Sequence, residues 1–292
     1  MVIFMIFAAN VNVFADELPK VNLRISSAKA SSVTVKWKKL SGSKKYTVLR
    51  ATKKKGSYKK LKTLSASKAS YTDKKLKESK TYYYKVKAQT STGTVESNLI
   101  TKVKVSGNYK KGSVYGPGLS KKQLQIVKDK VANFVNVYTQ PNYTQFEKLL
   151  NAHDYLCKIC SYQTKGWSVN YANTALGALK YKKAQCSGYA RALKALCDGA
   201  GVPCKYVHAN KKAMNPSHQW NMVKMKGKWY IVDAQLNDDA GGYYAFLIGK
   251  KGAKEKMPGV YVYNKKGLPT LSSSDFNLNK YGYYQESHYH FD

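Results

Sequence analysis

Hydrophobic and polar residues alternate in short runs over positions 19–105. Val33, Val35 and Trp37 share one face of a strand, with Thr34 and Lys36 on the other. Tyr46 and Val48 continue the alternation, followed by Tyr58, Leu61, Tyr71 and the run at 82–86. Turn clusters separate the runs: Ser41-Gly42-Ser43, Lys55-Gly56-Ser57 and Ser91-Thr92-Gly93. Short strands at this spacing predict an all-β sandwich.

Residues 106–118 read as a linker by their glycine-rich composition. Helical periodicity then replaces alternation. Ser120 with Gln123 forms a capping box ahead of Leu124, Val127, Val131, Phe134 and Tyr138. Thr144 with Glu147 opens a second helix carrying Phe146, Leu149, Leu150 and Leu156. His153 lies near that stripe and reads as a satisfied structural histidine. A short helix is predicted over 173–180. A stronger one starts at Cys186, with Tyr189, Ala190, Leu193, Leu196, Cys197 and Ala200 on its stripe. Gly199, Gly201 and Pro203 stop it. Strand alternation returns at 204–208, and 218–225 pairs with 229–234 across a Lys226-Gly227 turn. In that register Trp220 faces Asp233. His218 then sits one diagonal step from Asp233 on the same face, ~7–8 Å between Cα atoms and within side-chain reach. Asn221 and Val232 face away.

This pattern aligns a thiol, an imidazole and a carboxylate. Cys186 opens a helix, where free N–H groups and the macrodipole favour a thiolate. Ser187 and Gly188 are small and leave room beside the first turn. Cys197, three turns later on the buried stripe, is the structural counterpart of Cys186. A nucleophilic thiol needs a base, and the base needs a group to hold its tautomer. An ordinary amphipathic hairpin accounts for His218 and Asp233 singly, but not for their coincidence with a helix-opening cysteine.

Residues 145–238 resemble the transglutaminase-like superfamily, whose core is papain-like. The resemblance is carried by His153-Asp154-Tyr155-Leu156, Ala175-Leu176-Gly177-Ala178-Leu179 and Cys186-Ser187-Gly188-Tyr189-Ala190-Arg191-Ala192-Leu193. It continues through His218-Gln219-Trp220-Asn221-Met222-Val223 and Gly227-Lys228-Trp229-Tyr230-Ile231-Val232-Asp233-Ala234. It implies Cys186 as nucleophile, His218 as base and Asp233 as orienting acid. Tyr189 and Trp220 are expected to contact substrate. The Cys186 backbone N–H is the expected oxyanion donor, with a second from Trp167, Tyr171 or Asn173. Gln235 departs from the Pro-Thr-Trp that many relatives carry after the aspartate. The superfamily includes peptidases, cross-linking enzymes and inactive members, so it implies cysteine acyl transfer and leaves the acceptor open.

Residues 19–105 likewise resemble a bacterial fibronectin type III domain. The carrying residues are Val35-Lys36-Trp37, Tyr46-Thr47-Val48-Leu49-Arg50, Gly56-Ser57-Tyr58, Tyr71-Thr72-Asp73, Leu76 and Thr81-Tyr82-Tyr83-Tyr84-Lys85-Val86. This implies a spacer or adhesive module with an aromatic core. The expected architecture is α+β: a papain-like transglutaminase core over 119–292, with a separate all-β, immunoglobulin-like sandwich at the N-terminus.

Charge and targeting signals narrow the setting. The chain has a net charge of +35, and residues 19–115 hold 26 Lys and Arg against 3 Asp and Glu. Of the 51 basic residues, 48 are lysine, which suits diffuse attraction of polyanions. Residues 1–15 read as the end of a secretory signal. The apolar run at 2–9 is too short to span a bilayer, and Val13-Phe14-Ala15 fits a cleavage site. A secreted or cell-surface protein without a membrane span in its mature form is expected. Its partners would be a protein or peptide substrate and anionic cell-wall polymers rather than nucleic acid. Cys157, Cys160, Cys197 and Cys204 read as buried thiols, with a disulfide left open; their spacing does not support a zinc site. No metal or cofactor is implied, and His288 and His290 read as a solvated tail. Self-cross-linking would threaten a chain with 48 lysines, which favours a peptidase or amidase over an amine-transferring transglutaminase. The competing class is a non-catalytic, basic wall-binding or adhesive protein.

Overall fold

The alternating first segment folds as two facing sheets. The computed structural model describes residues 21–284; the secretory signal expected at 1–15 and the histidines at 288 and 290 lie outside the described residues. Strands β1 (Leu23–Lys29), β2 (Ser32–Trp37), β3 (Lys45–Ala51), β4 (Lys59–Ser65), β5 (Ser70–Asp73), β6 (Tyr82–Gln89), β7 (Thr94–Glu96) and β8 (Ile100–Lys102) build the sandwich. One sheet runs β1-β2-β5 and the other β4-β3-β6-β7, with β8 also pairing β6. Val33, Val35, Trp37, Tyr46, Val48, Tyr84 and Val86 fill the space between them. The Trp37 and Tyr46 rings meet at 5.4 Å. Buried Asp73 is matched by Arg50 and the Tyr84 hydroxyl, both at 2.8 Å, so this carboxylate is structural.

The rest of the described chain forms the second unit. Helices α1 (Lys121–Val137) and α2 (Gln145–Ile159) both begin with the capping boxes expected at Ser120 and Thr144. Short strands β9 (Ser161–Tyr162) and β10 (Lys183–Ala184) pair in parallel. The helix predicted over 173–180 is reduced to one wide turn at Gly177–Tyr181. Helix α3 (Cys186–Ala200) follows, closed by Gly201 in the left-handed region at φ 78°. Strands β11 (Cys204–His208), β12 (Gln219–Met225), β13 (Lys228–Val232) and β14 (Phe246–Ile248) form an antiparallel sheet in that order. Helix α4 (Ala234–Ala240) leaves the end of β13, and α5 (Lys250–Lys256) follows β14. The hairpin register is the expected one, with Asn221 opposite Val232 and Met225 opposite Lys228. Lys226 and Gly227, at φ 47° and 82°, make the tight turn.

Each face of this sheet has its own core. Val223, Met225, Tyr230 and Val232 pack with the stripes of α1, α2 and α3. Trp220, Met222 and Ile231 face the other way and are covered by Tyr261, Leu271 and their neighbours. No described helix is long and apolar enough to cross a membrane.

The linker expected at 106–118 packs as part of the second unit. Tyr115 is fully buried, donates to Asp198 of α3 at 2.7 Å, and accepts from the Ala175 N–H at 2.8 Å. One buried aromatic outweighs a composition rich in turn residues.

Candidate active site

Helix α3 presents its first residue as the thiol. Gln185 precedes it in extended conformation and makes no capping bond. The contrast with the boxed starts of α1 and α2 is chemical: the first-turn N–H groups of α3 have no side-chain cap. Gly188 lets this turn press against residue 172. A Cβ there would lie 2.1 Å from the Ala172 carbonyl oxygen, which also accepts the Gln185 N–H at 2.9 Å. The thiol of Cys186 points toward the Ser217 carbonyl at 3.8 Å, one residue before the imidazole.

His218 and Asp233 meet as the register requires. His218 Nε2 donates to Asp233 Oδ2 at 2.6 Å. With Nε2 engaged, Nδ1 is the nitrogen left for the thiol. Asp233 is 1% exposed and fixed from three sides. Its Oδ1 accepts the Leu236 N–H at 3.2 Å as the cap of α4, its Oδ2 accepts the Tyr261 hydroxyl at 3.1 Å, and its own N–H donates to Ala245. Burial works against a charged His218, but hydrogen bonds to Asp233 and Cys186 outweigh it and push the imidazole up to about 10. His218 therefore holds its proton through neutral pH, as the countercharge a thiolate needs.

A cleft of about 340 Å³ opens at Cys186, lined by Trp167, Asn173, Arg191, Ser217 and Gln219 among others. Of the three residues considered for the second oxyanion donor, Trp167 and Asn173 reach this cleft. Tyr171 does not line it, and stacks instead on Tyr181 with centroids 5.9 Å apart.

Tyr189 and Trp220 are corrections: neither lines the cleft, and each is 1% exposed. Tyr189 faces the helical core and donates to Asp238. Trp220 lies behind the site, stacked on His218 at 5.7 Å and met edge-on by Tyr261 at 5.0 Å. Trp220 therefore backs the His218 ring, whereas Tyr189 is part of the helical core. Tyr261 itself carried no catalytic expectation, although the Val260-Tyr261-Val262-Tyr263 alternation marks a face with two tyrosines that packs on Trp220.

The other four cysteines are buried, and none of them is in a disulfide. Burial drives Cys160 up to about 12, and a contact with Cys204 together with burial raises Cys197 well above the ordinary thiol range. His153 is enclosed between Asp154 Oδ1 at 2.8 Å and the Asn237 carboxamide at 2.9 Å. Among the described residues no cluster of three His, Cys, Asp or Glu could hold a metal.

The family model described as the transglutaminase-like superfamily matches residues 132–234. That of the fibronectin type III domain matches residues 18–104. No curated protein matches the chain. Among solved structures, pectate lyase PelI from Erwinia chrysanthemi with tetragalacturonic acid is 21% identical, over 28% of this chain and 28% of its own, with a TM-score of 0.27. A fibronectin type III domain from the human KIAA0970 protein is 21% identical over 28% of this chain and 69% of its own, with a TM-score of 0.24. The chain spans less than a third of the pectate lyase, and neither likeness bears on function. The two family matches fall on the two units separately: the chain carries a transglutaminase-like core at 132–234 behind a fibronectin type III domain at 18–104.

Proposed function

We propose that this protein is a secreted cysteine acyl-transfer enzyme that opens peptide or glutamine amide bonds, with water as its usual acceptor. The observation that carries this reading is the 2.6 Å bond from His218 to Asp233 with the Cys186 thiol beside the same imidazole. Cys186 sulfur attacks the amide carbonyl carbon, and the carbonyl electron pair moves onto oxygen. The uncapped N–H of Cys186 donates to that oxyanion, with the Asn173 carboxamide as the second donor. As the tetrahedral centre collapses, the C–N bond breaks and His218 gives its proton to the leaving amine. His218 then takes a proton from incoming water, whose oxygen attacks the thioester carbon; the C–S bond breaks, the acid leaves, and the Cys186 thiolate is restored beside the protonated imidazole. Asp233 holds the imidazole in place and stabilises its charge throughout.

The lysine-rich sandwich would hold the enzyme on anionic wall polymers. Strand β4 supports this role, since Lys59, Lys60 and Lys62 are exposed along it. Hydrolysis is favoured over amine transfer because the chain presents 48 lysines as potential acceptors. The test offers a glutamine-containing protein with and without a labelled primary amine, using Cys186→Ala as the blank. Released fragments or ammonia without incorporated label are expected. Efficient incorporation would make the enzyme a transglutaminase, and no Cys186-dependent product of either kind would leave a non-catalytic binding protein.

A further inference from the structure

The cleft beside Cys186 contains one guanidinium and, among its described lining residues, no carboxylate. Arg191 stands five residues along α3 from Cys186, about 7.5 Å of helix rise. Its side chain is fixed rather than free. One terminal nitrogen donates to the Val114 carbonyl, and its plane lies over the Tyr206 ring at 4.5 Å. Tyr206 is itself held by Gln219, another residue of the cleft wall. The Arg191 Nε is buried without a hydrogen-bond partner. Among the described residues no acid pairs with this cation. Asp239, the acidic group on the Tyr162 side of the site, is engaged by Gln235. A positioned, half-buried guanidinium without a counterion is well suited to a ligand carboxylate, with which its terminal N–H groups can form charge-assisted hydrogen bonds.

We propose that Arg191 sets substrate specificity by binding a carboxylate placed about two residues from the scissile carbonyl. The spacing follows from the helix rise and from the ~3.3 Å advance of an extended peptide. Two sources have this chemistry: the side chain of an acidic residue, or the α-carboxylate of a chain end. The inference rests on the acyl-transfer reading of Cys186.

Iodoacetyl probes test it without knowledge of the natural substrate. Cys186 sulfur displaces iodide, an S–C bond forms as the C–I bond breaks, and the thiol proton remains on His218. The full chain is treated with iodoacetyl-glycine, with its amide, and with the α-amide of iodoacetyl-glutamic acid, and the rate at Cys186 is read by mass mapping. At least one carboxylate probe is expected to react about tenfold faster than the neutral amide, the effect of one charge-assisted hydrogen bond. That ratio should fall several-fold toward the value for glutathione in Arg191→Gln and lie between the two in Arg191→Lys. Each ratio is internal to one protein, so a general loss of reactivity cancels, and attraction by His218 is common to wild type and the Arg191 variants, so the change between them isolates the guanidinium. Preference for the glycine probe assigns the site to a chain end, and preference for the glutamyl probe to an acidic side chain. A ratio that survives Arg191→Gln, or a wild-type ratio no higher than that of glutathione, overturns the proposal. If all three probes label Cys186 no faster than glutathione, the acyl-transfer reading fails first and takes this inference with it.

Discussion

His218 carries the charge logic of the site. An unfolded histidine titrates near 6.5, whereas here Asp233 and Cys186 hold the proton to about 10 despite burial. A folded value above the unfolded one stabilises the protein when the group is charged in both states. The contribution is complete below about pH 6.5 and is lost as pH rises through about 10. The difference in melting temperature between wild type and His218→Gln should therefore shrink over that window, as thermal melts across pH would show. A constant difference would mean that His218 packs but does not ionise as described. Tyr261→Phe removes one hydrogen bond to the buried Asp233 carboxylate and should cost about 1.5–3 kcal/mol in denaturant unfolding. Cys186, His218 and Asp233 were legible in the sequence because period and register place them without knowledge of the fold. Tyr189 and Trp220 were misread because parity gives a side chain's face, not what covers it. Trp220 shares the face of His218, but Tyr261 and Tyr263 close that face from 41 and 43 residues away.

At the scale of elements, the start of α3 is the critical joint. Gly188→Ala would drive a Cβ to within 2.1 Å of the Ala172 oxygen and 2.8 Å of the Ala184 side chain. Backbone on one side cannot yield cheaply, so the variant should lose about 1–3 kcal/mol. It should also lose alkylation of Cys186, because the whole turn must lift; full labelling with unchanged stability would refute this packing. The β12–β13 hairpin was readable since a two-residue turn fixes every pair beyond it. The α3 helix was readable from its stripe and its glycine stop. The segment over 106–118 was not. Its glycines read as punctuation, while the feature that packs it is a single tyrosine reaching Asp198, 83 residues later. Such distant pairings leave no local period.

At the scale of the whole molecule, the two units are joined by polar side chains on one face of α1. Asp129 accepts the Ala30 N–H at 3.0 Å, Asn133 the Ala28 N–H at 3.0 Å, and Asn136 the Val103 N–H at 2.7 Å. Lys102, buried at this junction, donates to the Ala30 carbonyl at 2.9 Å. In the sequence these are ordinary polar positions opposite the apolar stripe, and the docking they make was not visible there. Asn136→Leu would leave the Val103 N–H without its partner and should destabilise the joint by about 1–3 kcal/mol, splitting one calorimetric transition into two. Retention of the protein on a polyglutamate surface should fall steeply as salt rises, because diffuse attraction is screened over ~10 Å at 0.1 M; salt-independent retention would point to a specific pocket. Reactivity of Cys186 above that of the other four cysteines separates an enzyme from a binding protein. It is tested most directly by timing iodoacetamide modification of all five in the folded protein, alongside His218→Ala and Asp233→Asn. Rapid labelling of Cys186 ahead of Cys157, Cys160, Cys197 and Cys204 is expected, slowed about 10²–10⁴-fold by His218→Ala and less by Asp233→Asn. Labelling of Cys186 at the rate of a free thiol, unchanged by either substitution, would contradict it.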